Sequence, residues 1–156
     1  MTLHSGYAWV GRAVEAAGQA LQPGLLLAVR LYWGWGFFQT GWGKLTNLGR
    51  TTEFFAGLGL PLPAVNAALA GGGEAGGGLL LAAGLGARIA SVPLAGTMLV
   101  AYATAHREEL GQLFSAPDKV TEAPPFLFLL ASLLVLAFGP GRWSVDGWLA
   151  RRTAVR

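Results

Sequence analysis

The stretch PGLLLAVRLYWGWGFFQTGWG, residues 23–43, decides the fold, because it is a long apolar run that carries one charge, Arg30. At about 1.5 Å per residue, a helix of this length measures roughly 30 Å, the thickness of a bilayer's hydrocarbon core. The sequence therefore predicts that residues 23–43 cross a membrane as an α-helix.

Three further apolar stretches follow, at about residues 62–85, 89–105 and 125–138. The last two are short, so tilt or flanking residues must complete the crossing. Charged residues make up 12% of the chain, against roughly 25% in soluble domains. We therefore predict an all-α integral membrane four-helix bundle in a lipid bilayer, with short interfacial helices such as residues 51–58.

The prediction divides the chain into an N-terminal segment (1–22), a four-helix membrane domain (23–148) and a basic C-terminal tail (149–156). Residues 1–22 lack the uninterrupted apolar core of a signal peptide. Their apolar residues recur at near-helical spacing, so the segment is either a cytoplasmic or interfacial amphipathic helix or a frayed terminus.

Lysine and arginine counts predict the orientation, because cytoplasmic loops carry an excess of both. Leaving out Arg30, one side of the predicted bundle carries Arg12, Arg88, Arg142, Arg151, Arg152 and Arg156. The other side carries Lys44, Arg50, Arg107 and Lys119. This bias places both termini in the cytoplasm and the bundle in the cell (inner) membrane.

Composition also excludes several kinds of chemistry. The chain has no cysteine, so no thiol relay runs through it. His4 and His106 are its only histidines and offer no recognisable metal-ligand spacing, so we expect no metal site. We expect no nucleotide site, because the glycines of residues 71–78 lack the Lys-Ser/Thr that follows a phosphate loop. The basic residues form no stripe of the kind that binds nucleic acid.

Two charges within the predicted spans are the first candidates for a functional site. Arg30 lies about 10 Å into the first span, where a charge costs about 2.5–3.5 kcal/mol and requires a partner. Glu74 is the only acidic residue in any span, so we predict an Arg30–Glu74 ion pair facing the bundle interior. Lys44 shares a helical stripe with Arg30. The pair either fixes helix register or lines a polar pocket for an anion or a quinone head.

Aromatic residues and His106 extend this candidate site. Tyr102 and His106 are four residues apart, so both can share a helix face, where His106 either protonates a quinone or anchors a helix end. Trp33 and Phe37 belong to an aromatic run that either sandwiches a flat ring or faces lipid. Arg88 is expected to snorkel to the inner interface.

Several blocks of sequence resemble the DoxX family over roughly residues 26–148. They are R-x₆-F-x₃-G-x₂-K-L at residues 30–45, Phe54-Phe55, GLGLPLP at 57–63, Glu74 with its trailing glycines and LLL at 79–81, GLGAR at 84–88, MLVA at 98–101 and GPGRWSVD at 139–146. The order and spacing of the blocks carry the resemblance. By position, it marks Arg30, Lys44, Glu74, Arg88 and Asp146 as the residues to watch.

The resemblance implies a four-helix membrane bundle and two kinds of role. One is a subunit of a thiosulfate:quinone oxidoreductase, and the other is a membrane organiser of oxidative and thiol-stress enzymes. In GPGRWSVD, Ser144 is expected to cap the following segment and Asp146 to meet a basic residue, Arg88 being the candidate.

We therefore expect a subunit of a quinone-linked redox system that works with a soluble or membrane redox partner. In this reading Arg30, Glu74 and His106 are the catalytic candidates. Quinone or an anion such as thiosulfate would be bound by the set Arg30, Trp33, Phe37, Lys44, Glu74 and Tyr102. Whether the chain is itself an enzyme stays open, as does homo-oligomer formation. The alternatives are a non-enzymatic scaffold for redox or thiol-stress enzymes and a small-molecule or proton permease.

Overall fold

The computed structural model describes the backbone of residues 3–153 and the side chains of residues 9–153. The side chain of His4 and residues 154–156 of the predicted basic tail lie outside the described residues. Across residues 3–153 the chain is helical with no strand, which confirms the all-α prediction. The helices are α1 Leu3–Thr46, α2 Leu48–Gly57, α3 Pro63–Ala83, α4 Ala87–Ala103, α5 Arg107–Gly111, α6 Pro117–Glu122, α7 Pro125–Phe138 and α8 Val145–Thr153.

The four longest helices, α1, α3, α4 and α7, pack side by side as a bundle. The most extensive contacts join α1 to α3 and α4 to α7, and α3 also packs on α4. Phe37, Leu81, Leu94 and Val135, one from each helix, are fully buried in the shared core. The short helices α2, α5 and α6 all lie at one end of the bundle, where α1 and α4 end and α3 and α7 begin.

Small residues allow α1 and α3 to approach closely in antiparallel directions. A Cβ added at Gly34 would lie 2.7 Å from the carbonyl oxygen of Gly78, and one added at Gly41 would lie 2.6 Å from that of Gly71. Real Cβ atoms do not come this close to backbone, so larger side chains would push the helices apart. This contact sets the register of the two helices and thereby the neighbours of every charge on them.

The first helix begins earlier than the sequence predicted. The first span was expected to start at Pro23, but α1 runs through Pro23 from Leu3. Proline removes one intrahelical hydrogen bond, and the carbonyl of Gln19 that loses it is on an exposed part of the helix, where water can replace the bond. Residues 9–22 are all exposed and form an arm beyond the bundle.

None of the helices within residues 3–153 meets both the length and the hydropathy of a membrane-spanning segment. The division into four crossings therefore stays a prediction.

Candidate functional site: a cavity beside Lys44 and Glu74

Glu74 is almost completely buried, at 2% exposure, and its charge partner is Lys44. Lys44 Nζ lies 2.5 Å from Glu74 Oε2. Thr40 Oγ1 is 3.0 Å from the same carboxylate oxygen and 3.0 Å from the carbonyl oxygen of Phe37, so its one proton is donated to either. Lys44 and Thr40 are one helical turn apart on α1, and both face Glu74 on α3.

The predicted Arg30–Glu74 ion pair is wrong, and the helix register explains why. Gly34 lies against Gly78, and Gly41 against Gly71. These contacts place Glu74 opposite residues 38–42 of α1, next to Thr40 and Lys44, whereas Arg30 lies against Gly84, just past the end of α3. Ten residues separate Glu74 from Gly84, about 15 Å along the axis.

Arg30 instead occupies a packed site at the opposite end of the bundle from α2. It is fully buried, and its Nη2 donates a hydrogen bond of 2.6 Å to the carbonyl oxygen of Trp143. Its Nε and Nη1 have no hydrogen-bond partner within the described part of the chain. A Cβ on Gly84 would overlap Arg30 Nη1 and lie 2.6 Å from Ser144 Cβ, and Gly84 also has a positive φ of 69°. Arg30 therefore joins the α3–α4 turn to the α7–α8 loop.

Ser144 and Asp146 stabilise this end through helix capping. Ser144 Oγ accepts a 3.0 Å hydrogen bond from the amide of Gly147, so it caps α8 as expected. The carboxylate of Asp146 accepts hydrogen bonds from the amides of Gly86 and Ala87 at 2.8 and 3.2 Å, at the N-terminus of α4. A carboxylate is favoured there by the helix dipole.

The expected partnership of Asp146 with Arg88 is therefore wrong. Arg88 extends over the surface, and its Nη2 donates to the carbonyl oxygen of Ala137 at 3.3 Å. The reason is local. The first backbone amides of α4 have no intrahelical acceptor, so they donate their hydrogen bonds to Asp146 instead.

A cavity of about 550 Å³ opens beside the Lys44–Glu74 pair. This volume is in the range of small-molecule sites. Its walls are mostly apolar and come from α1, α2, α3, α4 and α7, and its polar groups include Thr40, Lys44, Glu74 and His106. Leu69 and Val100 at its wall remain more than half exposed, so the cavity is open to the surface of the bundle.

His106 lines this cavity, but Tyr102 does not. The α4 helix ends at Ala103, so His106 lies beyond the helix, although its ring still meets that of Tyr102 edge to face at a centroid distance of 6.2 Å. Tyr102 is buried, and its hydroxyl donates a 2.7 Å hydrogen bond to the carbonyl oxygen of Val120, which holds α6 against the bundle. His106 Nδ1 lies 3.4 Å from Glu109 Oε1. Of the two residues, the structure therefore brings only His106 to the candidate site.

Trp33 and Phe37 lie behind the cavity rather than in it. Both make edge-to-face contacts with Phe128, at centroid distances of 4.9 and 4.7 Å, and Phe128 lines the cavity. Phe37 is fully buried in the bundle core. The predicted ring-binding role of Trp33 and Phe37 is thus replaced by support of Phe128.

Sequence reasoning missed part of the site. Thr40 lies four residues before Lys44, and that spacing could have placed it on the same face. The interfacial helix predicted at residues 51–58 contains Phe54 and Phe55, and both line the cavity from α2. The α4 face from Pro93 to Ala101 and Phe128 of α7 carried no chemical signal in the sequence.

Comparison with known proteins identifies the family. A family model described as DoxX matches residues 25–107, more than half of the 156 residues. The chain belongs to the DoxX family. DoxX proteins are generally membrane-associated. The matched range contains Thr40, Lys44, Glu74 and His106, so these polar groups of the cavity lie within the part of the chain that matches the DoxX model. No curated protein and no solved structure matches the chain.

Proposed function

We propose that this DoxX protein is a subunit of a quinone-linked redox system in the inner membrane, and that the cavity beside Lys44 and Glu74 binds the quinone head. The observation that carries the proposal is a buried carboxylate paired with a partly exposed ammonium at the wall of a mostly apolar cavity. Ordinary ligand sites share this composition, with apolar walls and a few polar groups that fix orientation.

The residues present fit a neutral ring with carbonyl groups. Lys44 has donors beyond the one that Glu74 accepts, and His106 supplies a ring nitrogen elsewhere on the wall. When bound, a quinone supplies two-electron redox chemistry coupled to the uptake of two protons. Lys44 and His106 would orient the carbonyl oxygens, and Glu74 would hold Lys44 in place. His106 and Glu74 are also the groups able to hold a proton at the cavity wall.

An anion such as thiosulfate fits the same cavity poorly. The anion site was expected between Arg30, Lys44 and Glu74, but Arg30 lies about 15 Å from the level of the other two. The remaining ammonium is already neutralised by Glu74. The proposal therefore places oxidation of the reduced substrate on a partner protein, which supplies the electrons, while this chain holds the quinone that accepts them.

The membrane placement within the proposal has four crossings and cytoplasmic termini. Family membership supports association with a membrane. Lys44 is engaged by Glu74 in the bundle, so only Arg50, Arg107 and Lys119 remain as loop charges at the α2 end, against the six arginines of the other side. This excess of arginine supports a cytoplasmic location for the end of the bundle that contains Arg30. The cavity then opens sideways to lipid, from which a lipid-soluble quinone can enter.

The test is to measure binding of a short-chain ubiquinone to the purified protein in nanodiscs. Quenching of tryptophan fluorescence reports the bound fraction. Glu74→Gln and Lys44→Met should each weaken binding about tenfold or more, since a lost charge-assisted contact or its support is worth roughly 1.5–3 kcal/mol. Glu53→Gln and Lys119→Met remove the same charges from exposed positions outside the cavity and should leave binding unchanged. Equal affinity in all four variants would refute the quinone site.

A second candidate, a scaffold for redox enzymes, is favoured by the exposed arm of residues 9–22. Trp9 and Leu21 are 67% and 72% exposed there, which leaves apolar surface for a partner to cover. Deletion of residues 1–22 separates the two functions. The quinone site predicts unchanged ubiquinone binding, whereas a scaffold predicts loss of a redox partner that co-purifies with the full-length protein.

A further inference from the structure

A basic and aromatic surface surrounds the end of the bundle where Arg30 lies. Four arginines on it are exposed, and three aromatic or aliphatic side chains lie between them, at 43–58% exposure. We define this surface as the arginine patch: Arg88, Arg142, Trp143, Trp148, Leu149, Arg151 and Arg152.

The patch is held in a fixed arrangement by the cluster described above. Asp146 ties the first turn of α8 to the amides of Gly86 and Ala87, and its own amide donates to the carbonyl oxygen of Gly84 at 3.0 Å. Arg151 Nη1 donates to the carbonyl oxygen of Arg142 at 2.9 Å. Side chains from α4, α8 and the α7–α8 loop are therefore presented together.

The charge of the patch is strongly one-sided. Asp146 is the only acidic residue from position 123 to the end of the chain. Its carboxylate is already occupied by the two amides at the start of α4. The guanidinium of Arg152 lies over the ring of Trp148, 3.7 Å from the centroid, and the Arg152 residue is exposed. The patch therefore complements a negatively charged partner.

The apolar groups identify the kind of partner. Val145, Trp148 and Leu149 fall at positions i, i+3 and i+4 of α8, so they share one face of a short amphipathic helix. Tryptophan beside arginine is typical of the boundary between headgroups and acyl chains, where rings enter the apolar layer and guanidinium groups bind phosphate. A shallow cleft of about 410 Å³ beside Arg88, lined by Phe138, residues 139–141 and the Asp146 carboxylate that the α4 amides already engage, adds room for one headgroup.

We infer that the arginine patch binds the phosphate headgroups of anionic phospholipids at the cytoplasmic leaflet. This inference rests on the membrane placement proposed above. It is independent of quinone binding, because the patch and the cavity lie at different levels of the bundle. It assigns α8 a role that the redox proposal leaves without one.

The test is native mass spectrometry of the detergent-purified protein, to which either phosphatidylglycerol or phosphatidylcholine has been added. The spectra give the affinity for each lipid. The wild type should bind phosphatidylglycerol at least tenfold more tightly, since several arginines each strengthen attraction to an anionic headgroup layer. The triple variant Arg142→Gln, Arg151→Gln, Arg152→Gln should lose this preference. The matched control Arg50→Gln, Arg107→Gln, Lys119→Gln removes three charges from the opposite end and should keep it.

The failures can be told apart by flotation with phosphatidylcholine vesicles. If the wild type does not float with the vesicles, the membrane placement fails, and the lipid inference fails with it. If it floats but shows no preference for phosphatidylglycerol, or if the control loses as much as the triple variant, only the lipid inference is refuted. Inorganic phosphate at millimolar concentration should not displace the lipid, and full displacement would overturn the assignment to a lipid headgroup.

Discussion

Arg30 and Glu74 are both buried charges in the same helix pair, yet their surroundings differ. Arg30 is enclosed by backbone, with Gly84 against its guanidinium and the carbonyl of Trp143 as its hydrogen-bond acceptor. Glu74 is paired with a side chain, Lys44, and borders a cavity large enough for a ligand. The difference teaches that a buried charge indicates a functional site only when space remains beside it. Arg30 holds the α3–α4 turn and the α7–α8 loop together, whereas Glu74 lies at the wall of the cavity where we propose that a quinone binds.

The largest effect on stability is expected at Arg30. Arg30→Ala should lower the free energy of unfolding by about 2–5 kcal/mol, because it leaves a cavity and removes the bond to Trp143. Arg30→Met keeps most of the volume and should cost less, since it also removes two unpartnered donors. Thermal unfolding in detergent measures both, and ubiquinone affinity of the folded fraction should stay unchanged. If Arg30→Ala lost quinone binding without losing stability, Arg30 rather than Glu74 would belong to the ligand site.

Glu74→Gln should show the opposite pattern. Glutamine keeps an acceptor for Thr40 and Lys44, so we expect a stability loss of only about 1 kcal/mol. Ubiquinone affinity should nevertheless fall at least tenfold, because Lys44 loses the charge that positions it. The two quantities are measured on one preparation by thermal unfolding and fluorescence quenching. A stability loss as large as that of Arg30→Ala with unchanged affinity would make Glu74 structural.

Asp146→Ala tests the capping arrangement near Arg30. Loss of an N-terminal cap costs about 1 kcal/mol. A double-mutant cycle with Arg88→Gln should give a coupling energy below about 0.5 kcal/mol, as for side chains without a shared partner. Coupling above 1 kcal/mol would restore the Asp146–Arg88 pair that the sequence suggested.

The smallest effect is expected at Glu109, in the loop beside His106. The hydrogen bond from its own backbone amide, together with the His106 contact, lowers the pKa of Glu109 below 4.5. A lowered carboxyl pKa adds stability above the unfolded-state pKa, and that stability is lost as pH falls through the folded-state pKa. NMR titration of the Glu109 carboxyl should show the lowered pKa, and His106→Ala should raise it part of the way. A pKa at or above 4.5 in the wild type would contradict this loop geometry.

The sequence predicted the helices well and the neighbours of individual side chains poorly. Apolar run lengths located α3, α4 and α7 to within a few residues, because burial of apolar surface dominates there. The close approach of α1 and α3 depends on glycines of both helices, which the sequence shows without showing which of them meet. The pairing of Arg30 with Glu74 failed because register depends on which glycines meet, and several alternatives exist along residues 71–78.

The cavity could be predicted only in part. Lys44, Glu74 and His106 stand out as rare polar residues near apolar runs. Their apolar companions on α4 and α7 resemble every other core residue in the sequence. Capping by Asp146 was also hidden, because it joins residues 60 positions apart that carry no common pattern.

The most direct measurement is a map at side-chain resolution of the protein in nanodiscs with a short-chain ubiquinone. The account predicts ring density in the cavity, with a carbonyl oxygen within hydrogen-bond distance of Lys44 or His106. Density beside Arg30, or a cavity closed by side chains while the ligand binds elsewhere, would contradict it.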